Sequence, residues 1–425
     1  VSREIRLTPA QAIGGLLLLH LAAALAFFVL VPAGAGPDEG EHIAFVQTLA
    51  GELAPAAGWR WGLPVLDTDP RDPNMELHQP PLYYALAVVP YLLGGPRLVG
   101  LLGLLLGLAT VWLTWRAVGE VGGADLALAA AAVPALLPMH AFLTGRVNND
   151  GLLNVLFALA LWRWACTLRD GPSPREGLRV GLIVGLALLT KQTATLLVAL
   201  SPVVFILSVW RGHPWRAAAR QLAVTLLAAA ALALWWYLRN RVVYGDWFAQ
   251  TAFALRFADR PTPASLAIIK TIHPDWSYWG YVRDVTLRTS VMFIGADVKN
   301  AAPGIVNVFQ EALLALGGIG AAMVLTRRGR TARRDAAQAW AVLLAVGLLA
   351  LGVLYWRFNC RYFQAQARYF FPLLPAWGVM LAAGFGRLWP PPRRAARYGL
   401  LIVPLWLGLL TVWSLVVFLP TVSNG

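Results

Sequence analysis

Charge is scarce in this chain. Asp, Glu, Lys and Arg make up only 13% of it, where a soluble protein carries about a quarter. Lysine is nearly missing: Lys191, Lys270 and Lys299 are the only three, so the net charge of +14 is almost wholly arginine. Cysteine is limited to Cys166 and Cys360. That excludes a disulfide framework and a cysteine-based metal site. No internal repeat or low-complexity tail is visible. The basic balance invites a nucleic-acid reading, but the arginines fall in short clusters between apolar runs. That distribution fits the loops of a membrane protein and excludes a nucleic-acid groove.

What is abundant is apolar sequence. Of 425 residues, 58% are hydrophobic, and the mean hydropathy is +0.62. The runs are long enough to cross a bilayer, and a crossing backbone must close its hydrogen bonds as a helix. The expected fold is therefore an all-α polytopic membrane protein, a single domain over 1–425. The first run, 13–31, exceeds the apolar core of a signal peptide and reads as a retained helix despite Ala33-Gly34-Ala35 after it.

Arginine placement predicts the orientation. Arg3 and Arg6 precede the first run, so the N-terminus is expected in the cytoplasm. Basic clusters at Arg163–Arg179, Arg211–Arg220, 327–334 and 387–397 are expected on the same side. The opposite side then receives a first loop within 34–96, the turns at Arg146–Asp150 and Lys191, a second loop at 239–302, and the turn at Arg357–Arg368. Parity makes 80–93 a juxtamembrane helix on the outer surface, because it is short and ends in Gly94-Gly95-Pro96. About eleven crossings result. Two of them are short and are separated by Lys191.

Everything that looks chemical falls on the expected outer side. Asp38-Glu39-Gly40-Glu41-His42 follows the first run. Asp38 and Glu41 have the spacing of a capping box for a helix over 39–53. Capping does not account for Glu39 and His42, which share a helix face. Carboxylates at a membrane edge are candidates for general base. His78-Gln79-Pro80-Pro81-Leu82-Tyr83-Tyr84 reads as a helix start with interfacial tyrosines, or as a loop that returns His78 towards Asp38. Arg146 and Asp150 are four apart and either pair together or meet a phosphate and a cation. Lys191 in an apolar stretch needs water or an anion. Arg361 and Arg368 stand on the side that arginine avoids, and their forked guanidinium groups suit a phosphate. Arg239 and Arg241 share that location, and an interface-anchoring role serves them equally. Trp276, Tyr278, Trp279 and Tyr281 fit an aromatic belt better than a sugar platform. His20, His140 and His213 look structural. Asp67-x-Asp69, with Asp72 nearby, is a weak metal signal.

In this order the motifs resemble the GT-C integral-membrane glycosyltransferases, in particular protein O-mannosyltransferases, the lipid A aminoarabinose transferase and their bacterial relatives. The closing Gln366-Ala367-Arg368-Tyr369-Phe370-Phe371-Pro372-Leu373-Leu374-Pro375 is similar to a C-terminal motif of those relatives. The resemblance implies a GT-C-like helical bundle and a polyprenyl-phosphate-linked sugar donor. It also implies transfer to a glycan, lipid or protein acceptor outside a bacterial plasma membrane, with inversion. Asp38, with Glu39, would be catalytic. His42, His78, Arg146, Asp150, Lys191, Arg361 and Arg368 would bind substrate or phosphate. A divalent metal is compatible with the carboxylates and is not required by them. The sequence ends soon after its last apolar run, where some relatives carry a soluble outer domain. Two other classes fit the same cations: a transporter or flippase of a lipid-linked anion, and an assembly subunit without catalysis. The inverted repeats common in transporters are not seen.

Overall fold

The computed structural model describes residues 8–68, 76–258, 261–267, 277–295, 301–325, 332–388 and 393–420. Asp69, Asp72 and Trp276 lie outside these residues, as does most of the basic cluster at 327–334.

Helices dominate because the apolar runs are rich in Leu and Ala, the best helix formers. In order they are α1 (Pro9–Leu30), α2 (Glu39–Leu49), α3 (Leu82–Val121), α4 (Ala124–Leu136), α5 (Pro138–Thr144), α6 (Asp150–Asp170), α7 (Pro174–Leu188), α8 (Thr195–Trp210) and α9 (Trp215–Tyr244). Then follow α10 (Gln250–Arg256), α11 (Pro263–Leu266), α12 (Tyr278–Val291), α13 (Ile305–Leu325), α14 (Ala332–Asn359), α15 (Leu374–Leu388) and α16 (Arg393–Trp413). A 3-10 turn, Ala367–Leu373, precedes α15. The only sheet among the described residues is a hairpin of β1 (Trp59–Arg60) and β2 (Leu63–Pro64).

Nine of the described helices are long and apolar enough to span a membrane, or ten if the bent pair α4–α5 counts as one span. The eleventh expected crossing is α7. Its 15 residues fall short of the roughly 20 that a full span takes. The expected juxtamembrane helix at 80–93 is instead the first arm of α3. At Gly94 and Gly95 the backbone leaves the helical region, with Gly95 at φ 66. The two arms therefore meet at a kink rather than a loop. Helix α2 also stops at Leu49, earlier than expected.

Small residues let the helices approach closely. A Cβ on Gly177, Gly181 or Gly185 of α7 would come within 2.6–2.8 Å of Gln221 O, Thr225 O and Leu232 Cβ of α9. A Cβ on Gly103 of α3 would meet Thr144 O of α5 at 2.2 Å. The largest core cluster fills the space between α6, α7, α8, α9 and α14 with residues such as Phe157, Trp164, Leu197, Trp236 and Trp340.

The loops segregate to two ends. At one end Leu82 N donates to Leu189 O, Gly295 N to Ala35 O, and Tyr278 Oη to Asn359 O. At the other end Arg169 pairs with Glu120, and Arg211 Nε donates to Leu168 O. The segments expected outside meet at the first end, and the basic loops at 163–179 and 211–220 meet at the second.

Candidate functional site

The site begins where α1 stops. Residue Asp38 is left-handed, φ 56 and ψ 15, and makes no capping bond to α2. The expected capping box is therefore not formed. The reason is a stronger partner. Arg368 Nη2 donates to Asp38 Oδ2, and Arg368 Nη1 donates to Pro37 O at 3.1 Å. A left-handed non-glycine costs roughly 1–2 kcal/mol, less for Asp than for most residues. Such outliers persist where surrounding contacts over-determine them.

Arg368 reaches a second carboxylate: its Nη1 lies 3.7 Å from Asp150 Oδ2. Asp150 opens α6, where a negative charge suits the helix dipole. Its Oδ1 accepts from Lys191 Nζ at 2.5 Å. Lys191 stands in the break between α7 and the turn that leads into α8. Four segments far apart in sequence thus form one chain of charges: Asp38, Arg368, Asp150, Lys191. The side chains of Arg368 and Asp150 are 3% and 6% exposed, whereas Asp38 keeps 27%. Asp38 is the most exposed of the four, and Lys191 keeps 13%.

A neutral network lies beside them. His42 Nδ1 is 2.8 Å from Tyr84 Oη. Asn149 Nδ2 donates to Tyr84 Oη and to Thr190 O, each at 3.3 Å. The Asn148 backbone N–H donates to Tyr83 Oη at 3.0 Å. Burial holds the His42 imidazole below its ordinary range, with Glu76 opposing the shift. Burial pushes the Glu76 carboxyl up, and His42 opposes it. Glu76 is half-buried as a residue, yet its Oε2 is sealed without a hydrogen-bond partner. Asn149 Oδ1, Asp150 Oδ2 and Arg368 Nε are also buried and have no hydrogen bond.

Several expected members are elsewhere. Both oxygens of Glu39 accept backbone N–H groups, from Gly36 at 2.8 Å and Val147 at 3.0 Å. It is a clasp between α2 and the turn before α6, not a free catalytic carboxylate. Arg146 does not meet Asp150. It donates to Phe27 O, Val31 O and Pro32 O at 2.8–3.1 Å, gripping the backbone where α1 ends. His78 packs edge-on against Phe253 and Phe257. Arg361 is exposed on the turn after α14 and appears in none of the described ion pairs. Tyr83 and Tyr84 are buried, not interfacial. Arg239 is fully buried and donates to Arg60 O, Leu63 O and Pro64 O, fixing the β-hairpin. Trp279 stacks on Trp356 and Tyr281 on Phe363. Glu76, Tyr84 and Asn149 were missed as site members.

The donor set does not fit a divalent ion. Asp38 and Asp150 are already flanked by Arg368 and Lys191. Among the described residues no three His, Cys, Asp or Glu side chains gather in a metal-holding group.

The helical bundle has a GT-C-like fold, shared with solved membrane proteins. Residues 78–237 match the family model of dolichyl-phosphate-mannose-protein mannosyltransferase. Solved structures that share the fold include two membrane proteins. ArnT from Cupriavidus metallidurans bound to undecaprenyl phosphate has TM-score 0.52 and 16% identity, over 97% of this chain and 72% of that one. The archaeal oligosaccharyltransferase AglB from Archaeoglobus fulgidus, in complex with an inhibitory peptide and a dolichol-phosphate, has TM-score 0.53 and 14% identity. That match covers 96% of this chain and 56% of AglB. No curated protein matches.

Proposed function

We propose that the chain transfers a sugar from a polyprenyl-phosphate-linked donor to an acceptor hydroxyl, on the extracytoplasmic side of a bacterial plasma membrane. The observation that carries this reading is the linked array of two carboxylates and two cations, partly buried, at one end of the bundle. The family match and the lipid phosphates bound by ArnT and AglB support the donor class.

The reaction follows from the array. The acceptor O–H loses its proton to the Asp38 carboxylate as its oxygen bonds to the anomeric carbon. The bond from that carbon to the phosphate oxygen breaks from the opposite face, which inverts the centre. The leaving phosphate takes the electron pair. Its added charge falls beside Lys191 and Arg368, where little water screens it. Asp150 fixes both cations before the reaction begins. The network of His42, Tyr84 and Asn149 holds the wall of the site and moves no proton.

Asp38→Asn is expected to lower turnover of an undecaprenyl-phosphate-linked sugar by about 10²–10⁴. Binding of undecaprenyl phosphate should stay measurable. Retained turnover removes the base assignment. Lys191→Ala should weaken undecaprenyl phosphate binding, and unchanged affinity removes the phosphate assignment.

A further inference from the structure

The turn that carries Asn149 and Asp150 hangs from a broken helix. Helices α4 and α5 meet at 64°, and the break has a chemical cause. In an unbroken helix Pro134 O would accept from the N–H of residue 138. That residue is proline and has none. Leu137 N still reaches Val133 O, and Ala141 N reaches Leu137 O. The carbonyls of Pro134, Ala135 and Leu136 are left between them without a backbone donor. An unsatisfied carbonyl inside a membrane is costly.

Each of the three receives a side chain from a different element. His140 Nδ1, in α5 itself, lies 2.6 Å from Pro134 O. His20 Nδ1 of α1 lies 2.9 Å from Ala135 O. Thr411 Oγ1 of α16 donates to Leu136 O at 2.7 Å, with Leu407 O of its own helix at 3.0 Å as the competing acceptor. A carbonyl only accepts, so both imidazoles carry their hydrogen on Nδ1. The two rings stack with centroids 5.3 Å apart, and His140 meets Phe371 edge-on, three residues from Arg368. The bend is therefore tied to α1, to α16 and to the 3-10 turn that holds Arg368.

From the bend, α5 runs only to Thr144 before the functional turn starts. Arg146 there grips the end of α1, Val147 N holds Glu39, and Asn148 N holds Tyr83. The direction of α5 thus decides where Asp150 stands against Lys191 and Arg368. We propose that His140, His20 and Thr411 are positioning residues for the site. They set the angle of the α4–α5 break and so the alignment of the 145–150 turn. Their effect on ligand binding rests on the phosphate reading above; their effect on the turn does not.

The test exploits geometry. An Asn amide N–H lies near the place of a His Nδ1–H, whereas a Gln amide does not; Val keeps the shape of Thr without its donor. H140N and T411S should leave undecaprenyl phosphate affinity within about twofold of wild type. H140Q and T411V should weaken it about five- to tenfold, the worth of one lost hydrogen bond. Amide hydrogen exchange of the 145–150 segment in the free protein gives the second readout. It should speed up in H140Q and T411V and return to the wild-type rate in H140N and T411S. Unchanged exchange in folded H140Q and T411V overturns the proposal, whatever the binding result. Failure of the wild type to bind undecaprenyl phosphate overturns the phosphate reading and leaves the exchange arm to decide this one.

Discussion

The two ends of the bundle both carry ion pairs, and they are built on different rules. Helix α6 joins them, with Asp150 at its start and Arg169 near its finish, about 28 Å apart at 1.5 Å per residue. At the Arg169 end every carboxylate oxygen of Glu120 and Glu176 is engaged. Glu176 takes Arg163 in a forked pair at 2.5 Å and Arg179 at 3.2 Å. Glu120 takes Arg116, Arg169 and Trp162 Nε1. Its cations are partly in water: the Arg169 side chain is 37% exposed and that of Arg179 63%. At the Asp150 end Arg368 is buried and Lys191 only 13% exposed, and the acceptors are under-used. A network whose carboxylates are all engaged holds helices together. An unsaturated one has bonding capacity for a ligand, because a buried polar atom without a partner is rare unless something else supplies one.

The largest expected contrast comes from deleting one arginine at each end. Arg368→Ala leaves Asp38 and Asp150 short of a buried cation, which costs roughly 3–5 kcal/mol. It should also abolish measurable binding of undecaprenyl phosphate. Arg163→Ala removes a forked pair with more water around it, costing about 1–2 kcal/mol, and should leave binding unchanged. Thermal unfolding and lipid binding on both variants check this. The contrast breaks if Arg163→Ala weakens binding as much, or if Arg368→Ala does no more harm than Arg163→Ala.

The sequence made Asp38, Asp150, Lys191 and Arg368 legible for one reason: each is a charge where the surrounding pattern is apolar or the side is wrong for its sign. Helix count was legible from the same pattern, apart from α7, whose length is marginal, and so was which loops gather at one end of the bundle. Glu39 and Arg146 misled because a charged side chain can spend itself on backbone groups. Nothing in a one-dimensional pattern shows that Arg146 meets the end of α1. Glu76 was missed for the opposite reason. It follows a polar loop stretch, Asp72-Pro73-Asn74-Met75, where one more carboxylate stands out from nothing. Only the fold brings it beside His42. The broken helix had a readable signal, Pro134 and Pro138 four residues apart, but the three donors that complete it come from residues 20, 140 and 411.

Glu76 offers the finest test of the unsaturated end, because its effect has a sign. Its carboxyl is raised above the ordinary 4.5 by burial. The folded protein therefore keeps this proton to higher pH than the unfolded chain. Stability from the group is full below 4.5 and is lost as pH rises through the folded value. His42 runs the other way. Its imidazole is lowered from 6.5 by burial, so its contribution is full above 6.5 and is lost as pH falls towards the folded value. Between these limits the two slopes oppose each other in the wild type. Glu76→Gln cannot ionise and removes one of them. The variant should gain stability over wild type near pH 7 and lose it more steeply on acidification. The loss is steeper still because Glu76 no longer supports a charged His42. Unfolding followed from pH 4.5 to 7.5 in both proteins decides it. Parallel curves would mean that Glu76 ionises as an ordinary surface carboxylate, and the site would then have one unsaturated acceptor fewer.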